Sequence, residues 1–277
     1  MVNFSDNFPE SIGYHLTSLR YLSLVSCNLR GPIPESLSNL TRIEYLVLSY
    51  NSLNGTIPSG MLSLPSLNTI VLSNNHLSGP LEDLKSNSLI SIYLEGNQLQ
   101  GHLPHSIQNL VNLTGLILSF NNFSGRVDVS FFSNLKQLRY LSLSYNNISL
   151  TNDNNVTLPE SLDTLELAAC EVKELEFLRS AKLLRHLDLS FNNFSGRVDV
   201  SLFSNLKQLV ELRLSYNNIS LTNDNNVTLP ESLDTLELAA CEVKELEFLR
   251  SAKKLWQLDL SNIRFKEEFL IGHGLTG

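Results

Sequence analysis

One eleven-residue pattern, LxxLxLxxNxL with Asn or Cys at its ninth place, returns every 22 to 25 residues along this chain. It runs over Leu19 to Leu29, Ile43 to Leu53, Leu67 to Leu77, Leu89 to Leu99, Leu113 to Phe123, Leu138 to Ile148, Leu162 to Val172, Leu184 to Phe194, Leu209 to Ile219 and Leu233 to Val243. A unit this short has too few apolar residues to bury its own edge. It becomes stable only when copies of it stack, so the core must grow turn by turn along a line.

Side chains alternate faces along a strand, so the apolar pair of LxL points into the coil and the residues between them point out. The strands then form a parallel sheet whose outward face carries residues free of packing duty, such as Tyr45, Val47, Ser49 and Tyr50. At the ninth place, Asn51, Asn75, Asn97, Asn121, Asn146, Asn192 and Asn217 are expected to turn inward, where an amide satisfies backbone groups left unpaired by the turning chain. The three cysteines, Cys27, Cys170 and Cys241, share this place and read as small buried side chains. Turns apart along the stack, they are out of reach of a disulfide, which needs Cα atoms within about 7 Å.

The fold class this predicts is α/β, a leucine-rich-repeat solenoid: a curved right-handed superhelix with its parallel sheet on the concave face and short 3-10, helical and turn segments on the convex face. We expect a single domain over 1–277 with about 11 repeats. A partial repeat occupies 1–15, and an eleventh copy begins at Leu255 but has Ile263 in the Asn place before an irregular tail at 264–277. Both ends read as cuts inside a longer solenoid.

Several turns continue into a second signature, GPIP at Gly31 to Pro34, GTIP at Gly55 to Pro58, GPL at Gly79 to Leu81 and GHLP at Gly101 to Pro104. Glycine permits a positive φ and proline fixes φ near −65°, which suits a tight turn away from the strand. With these motifs the chain resembles the plant-type extracellular leucine-rich-repeat family, LxxLxxLxLSxNxLSGxIPxxLxxL, over nearly its whole length. Within that family it looks most like receptor-like proteins of the elicitor-receptor type, on the NxSL loops and on LELAACEVKELEFLR at Leu165 to Arg179. The paired cysteines that usually cap the amino end of this family are absent from the sequence.

One piece of the chain is written twice. Residues 119–189 and 190–260 differ at seven places: Phe131/Leu202, Arg139/Val210, Tyr140/Glu211, Ser142/Arg213, Leu183/Lys254, Arg185/Trp256 and His186/Gln257. Five of the seven are outward strand positions, where a bound partner would touch. The loop NISLTNDNNVTLP, which packing should leave free to vary, is identical in both copies.

The formal charge of −8 is spread without a basic stripe, so a nucleic acid is not an expected partner. No apolar leader and no 18-residue apolar run is present, and any membrane attachment would come through a segment outside this chain. Possible N-glycosylation sequons occur at Asn3, Asn39, Asn54, Asn112, Asn122, Asn147, Asn155, Asn193, Asn218 and Asn226. With the family resemblance they point to a secreted or plasma-membrane ectodomain. Gly272, Gly274 and Gly277 spell GxGxxG, but the chain stops where the required helix would begin. His102 and His105 sit in a turn with no third ligand nearby in sequence and read as surface histidines. The segments Cys170 to Lys182 and Cys241 to Lys253 read as short convex-side helices with solvated glutamates. No cofactor, metal or catalytic set is implied, and the chain is not expected to be an enzyme.

The resemblance implies a ligand-recognition ectodomain that takes a protein or peptide on its concave face, with a co-receptor kinase as a further partner, in defence or developmental signalling. Aromatic and arginine side chains supply most of the energy of protein recognition. The anchors expected are Tyr140, Tyr145, His186, Phe191, Arg213, Tyr216 and Trp256, with Arg139, Arg185 and Glu211 tuning charge. Two alternatives stand beside this: a secreted inhibitor of a cell-wall-degrading enzyme, similar to the polygalacturonase-inhibiting proteins, and a truncated or synthetic solenoid without a present ligand.

Overall fold

The structure, a computed structural model, describes residues 7–243 and 245–265. The predicted rungs are present, distributed over two compact units. In the first unit, up to Val127 and from Phe131 to Ile148, the principal strands are Tyr21–Ser23, Tyr45–Val47, Thr69–Val71, Ser91–Tyr93, Gly115–Ile117 and Tyr140–Ser142. All pair in parallel, and the register sets Leu22, Leu46, Ile70, Ile92, Leu116 and Leu141 in one column. In the second unit, Asp128–Ser130 and onward from Ser149, the strands are Thr164–Glu166, His186–Asp188, Glu211–Arg213, Thr235–Glu237 and Gln257–Asp259, with Leu165, Leu187, Leu212, Leu236 and Leu258 in register.

These columns are the core. Leu46, Leu48 and Leu53 of one rung are almost completely buried, as are Leu141, Leu143 and Ile148 of another. Truncating one such leucine to alanine costs about 2–5 kcal/mol, because neighbouring rungs cannot collapse into the gap. The column loses cover at its last described rung, where Leu258 is 42% exposed against 1% for Leu236.

Within each unit the ninth-place asparagines form a ladder. Asn51 donates through Nδ2 to the carbonyls of Leu24 at 2.7 Å and Leu48 at 2.9 Å, and accepts at Oδ1 from the N–H groups of Cys27 and Leu29, both at 3.0 Å. Asn75 and Asn97 repeat the pattern one and two rungs on, and Asn192 and Asn217 repeat it in the second unit. Each amide therefore ties its own turn to the turn before it. Cysteine at this place makes a weaker link: the Cys241 thiol points at the Leu214 carbonyl at 3.3 Å. Cys170 and Cys241 are buried as expected, whereas Cys27 is only half-buried, because it belongs to the first rung and is covered from one side alone.

A second parallel ladder follows the asparagines, which the sequence had suggested only as turns. In the first unit it comprises Arg30–Pro32, Ser52–Gly55, His76–Pro80 and Gln98–Gly101; in the second, Ser195–Asp199, Asn218–Thr222, Glu242–Val243 and the backbone of Arg264–Phe265. The glycines of the LSGxIP signature lie in these strands. Gly79 shows why: its φ is +78°, and a Cβ there would sit 2.8 Å from Cγ2 of Thr56. The return half of each rung is short and mostly 3-10 in character, as at Glu35–Asn39, His105–Asn109, Glu176–Ser180 and Glu247–Leu249. The glutamate-rich segments thus become single 3-10 turns with Phe177 and Phe248 buried beneath them.

Candidate ligand-binding face

All the predicted anchors are solvent-accessible: Tyr140, His186, Glu211 and Arg213 on their strands, Arg139, Arg185 and Trp256 one residue before a strand, and Tyr145, Phe191 and Tyr216 in the turn after one. In the first unit Tyr140 and Tyr145 are 39% and 41% exposed, and the Arg139 guanidinium carbon lies 5.7 Å from the centre of the Tyr140 ring, in cation–π range. Ser142, counted from the sequence as outward and free, is completely buried. It stands in register with the bulkier Ile117, and a side chain of one oxygen does not reach the surface of the sheet. Ser49 is also buried rather than outward, because the strand ends at Val47 and the alternation ends with it.

In the second unit His186, Glu211 and Arg213 join a chain of contacts across four successive strands. The His186 Nδ1 lies 3.1 Å from Glu211 Oε2, and the other Glu211 oxygen pairs with the Arg213 guanidinium. Arg213 Nε is 3.4 Å from Glu237 Oε1, which accepts a hydrogen bond from Gln257 Nε2 at 3.1 Å. Four of these five residues, His186, Glu211, Arg213 and Gln257, stand at places where the two copies differ. Arg185 is exposed, and Trp256, at 76%, is the most exposed large apolar side chain among the described residues.

Phe191 and Tyr216 project from the turn after their strands, at the eighth place of the repeat. Their rings stack with centroids 4.6 Å apart, and Phe120 and Tyr145 stack in the same way at 4.5 Å. The eighth place has a positive φ throughout: 57° at Tyr50, 55° at Phe120, 56° at Tyr145, 58° at Phe191 and 59° at Tyr216. Phe120 was missed as a candidate, as were Glu237 and Gln257. An aromatic residue recurring at the eighth place of adjacent repeats was the signal available for Phe120; the relay partners depend on side-chain reach and left no pattern in the sequence.

The invariant loop is anchored in both copies by a carboxylate. In the second unit Asp128 accepts from the backbone N–H of Ser130 at 2.9 Å, from that of Asp153 at 2.7 Å and from Asn154 Nδ2 at 3.1 Å, and Asp199 holds Ser201, Asp224 and Asn225 likewise. Burial raises the Asp128 carboxyl, but these hydrogen bonds outweigh it and leave the pKa lowered to about 2. The loop is pinned at one backbone N–H and at one side chain, Asn154 or Asn225, whose identity this contact requires. All nine described sequon asparagines, from Asn39 to Asn226, are exposed, and Asn3 lies outside the described residues. The glycines of the GxGxxG string also lie outside them.

His105 contacts Gln108 at 3.1 Å, and among the described residues no group of three or more His, Cys, Asp or Glu side chains is placed to hold a metal. No helix among them is long and apolar enough to cross a membrane. The second unit also has a groove of about 750 Å³ between Lys173–Glu176 and the edge strand Ser195–Asp199.

A stack of parallel rungs tied by inward asparagines, with an exposed aromatic and charged strand face, defines a leucine-rich-repeat recognition scaffold. Family models described as leucine rich repeat match residues 17–77, 88–110, 137–165 and 183–206. Receptor like protein 22 of Arabidopsis thaliana is 41% identical over 71 residues, 25% of this chain and 9% of that protein. The structure of PEPR1 with AtPEP1 superposes with a TM-score of 0.80 at 28% identity, over 95% of this chain and 37% of that one. The plant peptide hormone receptor RGFR1, solved with RGF2, gives 0.73 at 26% identity, over 94% of this chain and 46% of that one. The chain is a leucine-rich-repeat protein similar to plant receptor-like proteins and to plant receptor ectodomains. It spans less than half the length of each of these three relatives.

Proposed function

We propose that this chain is the ligand-recognition part of a plant cell-surface receptor-like protein, displayed outside the cell, and that it binds a protein or peptide on the outward face of its strands in defence or developmental signalling. The observation that carries this is where the duplicated segment has changed. Its two copies keep every inward leucine and every ninth-place residue; of their seven differences, Arg139/Val210, Tyr140/Glu211, Arg185/Trp256 and His186/Gln257 are solvent-accessible at or beside the strands, while Phe131 and Ser142 are buried. Exposed aromatics of this kind, Trp256 above all, are what protein recognition uses as anchors. The relatives solved with peptides in place support the same reading. Exposed sequons accord with passage through the secretory route.

The test is to pan a phage-displayed random peptide library on the purified chain and measure the selected peptides against variants. Trp256→Ala and Tyr140→Ala should each weaken binding by more than about 1 kcal/mol while leaving thermal unfolding nearly unchanged. An equal loss from Lys182→Ala, on the return half of a rung, would remove the case for the strand face.

A further inference from the structure

We propose that the leading edge of the strands in the second unit is a subsite for an acidic peptide segment, with Arg185, Lys207 and Lys254 receiving its carboxylates and Trp256 packing against a neighbouring apolar side chain. This rests on the peptide-recognition reading above and specifies its chemistry.

Arg185, Val210, Asp234 and Trp256 occupy the same place in four successive rungs. The backbone links them in a row: Val210 N–H donates to the Arg185 carbonyl at 2.8 Å, Asp234 N–H to that of Val210 at 2.9 Å, and Trp256 N–H to that of Asp234 at 3.0 Å. With rungs about 4.8 Å apart, the row is about 14 Å long and matches some four residues of extended peptide. Lys207 and Lys254 rise beside it from the preceding turns, and together these residues line a shallow groove of about 660 Å³.

Three features select this groove. First, half of its eight lining residues, Arg185, Val210, Lys254 and Trp256, stand at places where the copies differ, although only seven of 71 places differ in all. The larger groove beside Ser195–Asp199 has one such residue, Leu202. Second, its charge opposes that of the molecule: three cations against Asp234, in a chain whose formal charge is −8. Lys207 Nζ donates to the Ser204 carbonyl at 2.7 Å, and among the described residues neither Arg185 nor Lys254 is engaged in an ion pair. Third, the exposed indole of Trp256 offers an apolar wall next to those cations. A carboxylate beside an aliphatic or aromatic side chain satisfies both at once.

Lys254 and Trp256 make their own test, since each can be exchanged for the residue that already occupies the same place in the other copy. Fluorescein-labelled octapeptides containing Glu, Asp and one Phe are titrated into the purified chain by fluorescence anisotropy, against counterparts carrying Gln and Asn in place of the acids. The acidic peptide should bind about tenfold tighter at low salt, with the advantage shrinking as salt is added. Lys254→Leu should reduce that advantage about threefold or more, and Arg185→Gln should do the same, with unchanged melting curves confirming the fold. Trp256→Arg should weaken the Phe-bearing peptide and spare one with Ala in that place. Equal affinity for acidic and amide peptides, or indifference to both Lys254→Leu and Arg185→Gln, overturns the proposal. If the amide peptides nonetheless bind and weaken on Trp256→Ala, the peptide-recognition reading survives without it; if no peptide of the set binds, both fall.

Discussion

Tyr216 lies parallel to Phe191 within 10°, with ring centroids 4.6 Å apart, although each residue holds a left-handed backbone conformation that side chains of this size avoid. The stack couples two consecutive rungs and offsets part of the backbone strain, since such pairs contribute about 0.5–1.5 kcal/mol beyond burial. Tyr50 has the same backbone, φ 57°, and is 62% exposed.

That contrast gives opposite outcomes for one substitution. Asn tolerates the left-handed region and already fills the eighth place at Asn74. Tyr50→Asn should leave stability unchanged or raise it by up to about 1 kcal/mol, whereas Tyr216→Asn should lower it by about 0.5–1.5 kcal/mol through loss of the stack. Urea melts of both variants check this; equal shifts would show that the stacked rings carry no energy.

The thiols should separate by reactivity. Burial pushes the Cys241 thiol up from its ordinary value, and Cys170 is equally enclosed, while Cys27 is half-buried at the first rung. Titration of the native chain with a chromogenic disulfide should therefore show one fast thiol, lost in Cys27→Ser, and two that react only on unfolding. Three fast thiols would mean that the ninth place opens readily.

Acid should loosen the pinned loops within a narrow window. Because the Asp128 carboxyl is depressed in the folded state, the stability it confers is fully present above its unfolded value of 3.8 and is lost as pH falls towards about 2. Asp199 is depressed by the same arrangement and acts in the same direction. Solvent screening keeps each contribution below about 1 kcal/mol. Asp128→Asn should flatten the stability profile between those two values and leave it unaltered at neutral pH in shape. An undiminished acid limb in the double variant with Asp199→Asn would assign it to other carboxylates.

Which parts of this molecule were legible from the sequence follows from what the repeat must do. The inward columns and the asparagine ladder are forced by stacking, so Leu46, Leu48, Asn51 and their equivalents lie where the pattern puts them. Outward exposure was legible for Tyr140, since alternation within its strand decides it, whereas Phe191 and Trp256 are exposed from beyond the ends of their strands. Ser142 and Ser49 escaped it: one depends on the size of its neighbour and the other on where the strand stops. The second ladder was hidden because LSGxIP reads as turn chemistry, and hydrogen bonding between rungs leaves no periodic mark of its own. The relay from His186 to Gln257 was illegible for a related reason, since it depends on how far long side chains lean across the sheet.

The backward reach of the asparagines gives each unit a direction. Asn51 completes the turn at Cys27 to Leu29, and Asn217 completes the one at Asn192 to Phe194, so a rung relies for its polar closure on the rung that comes after it. Peeling away a later coil strips amide partners from the backbone of the coil left behind, whereas peeling away an earlier one leaves the survivor's asparagine without the groups it bonded there. The two ends of such a stack are thus unequal in kind: loss from the carboxyl side bares main-chain groups, and loss from the amino side bares asparagine amides.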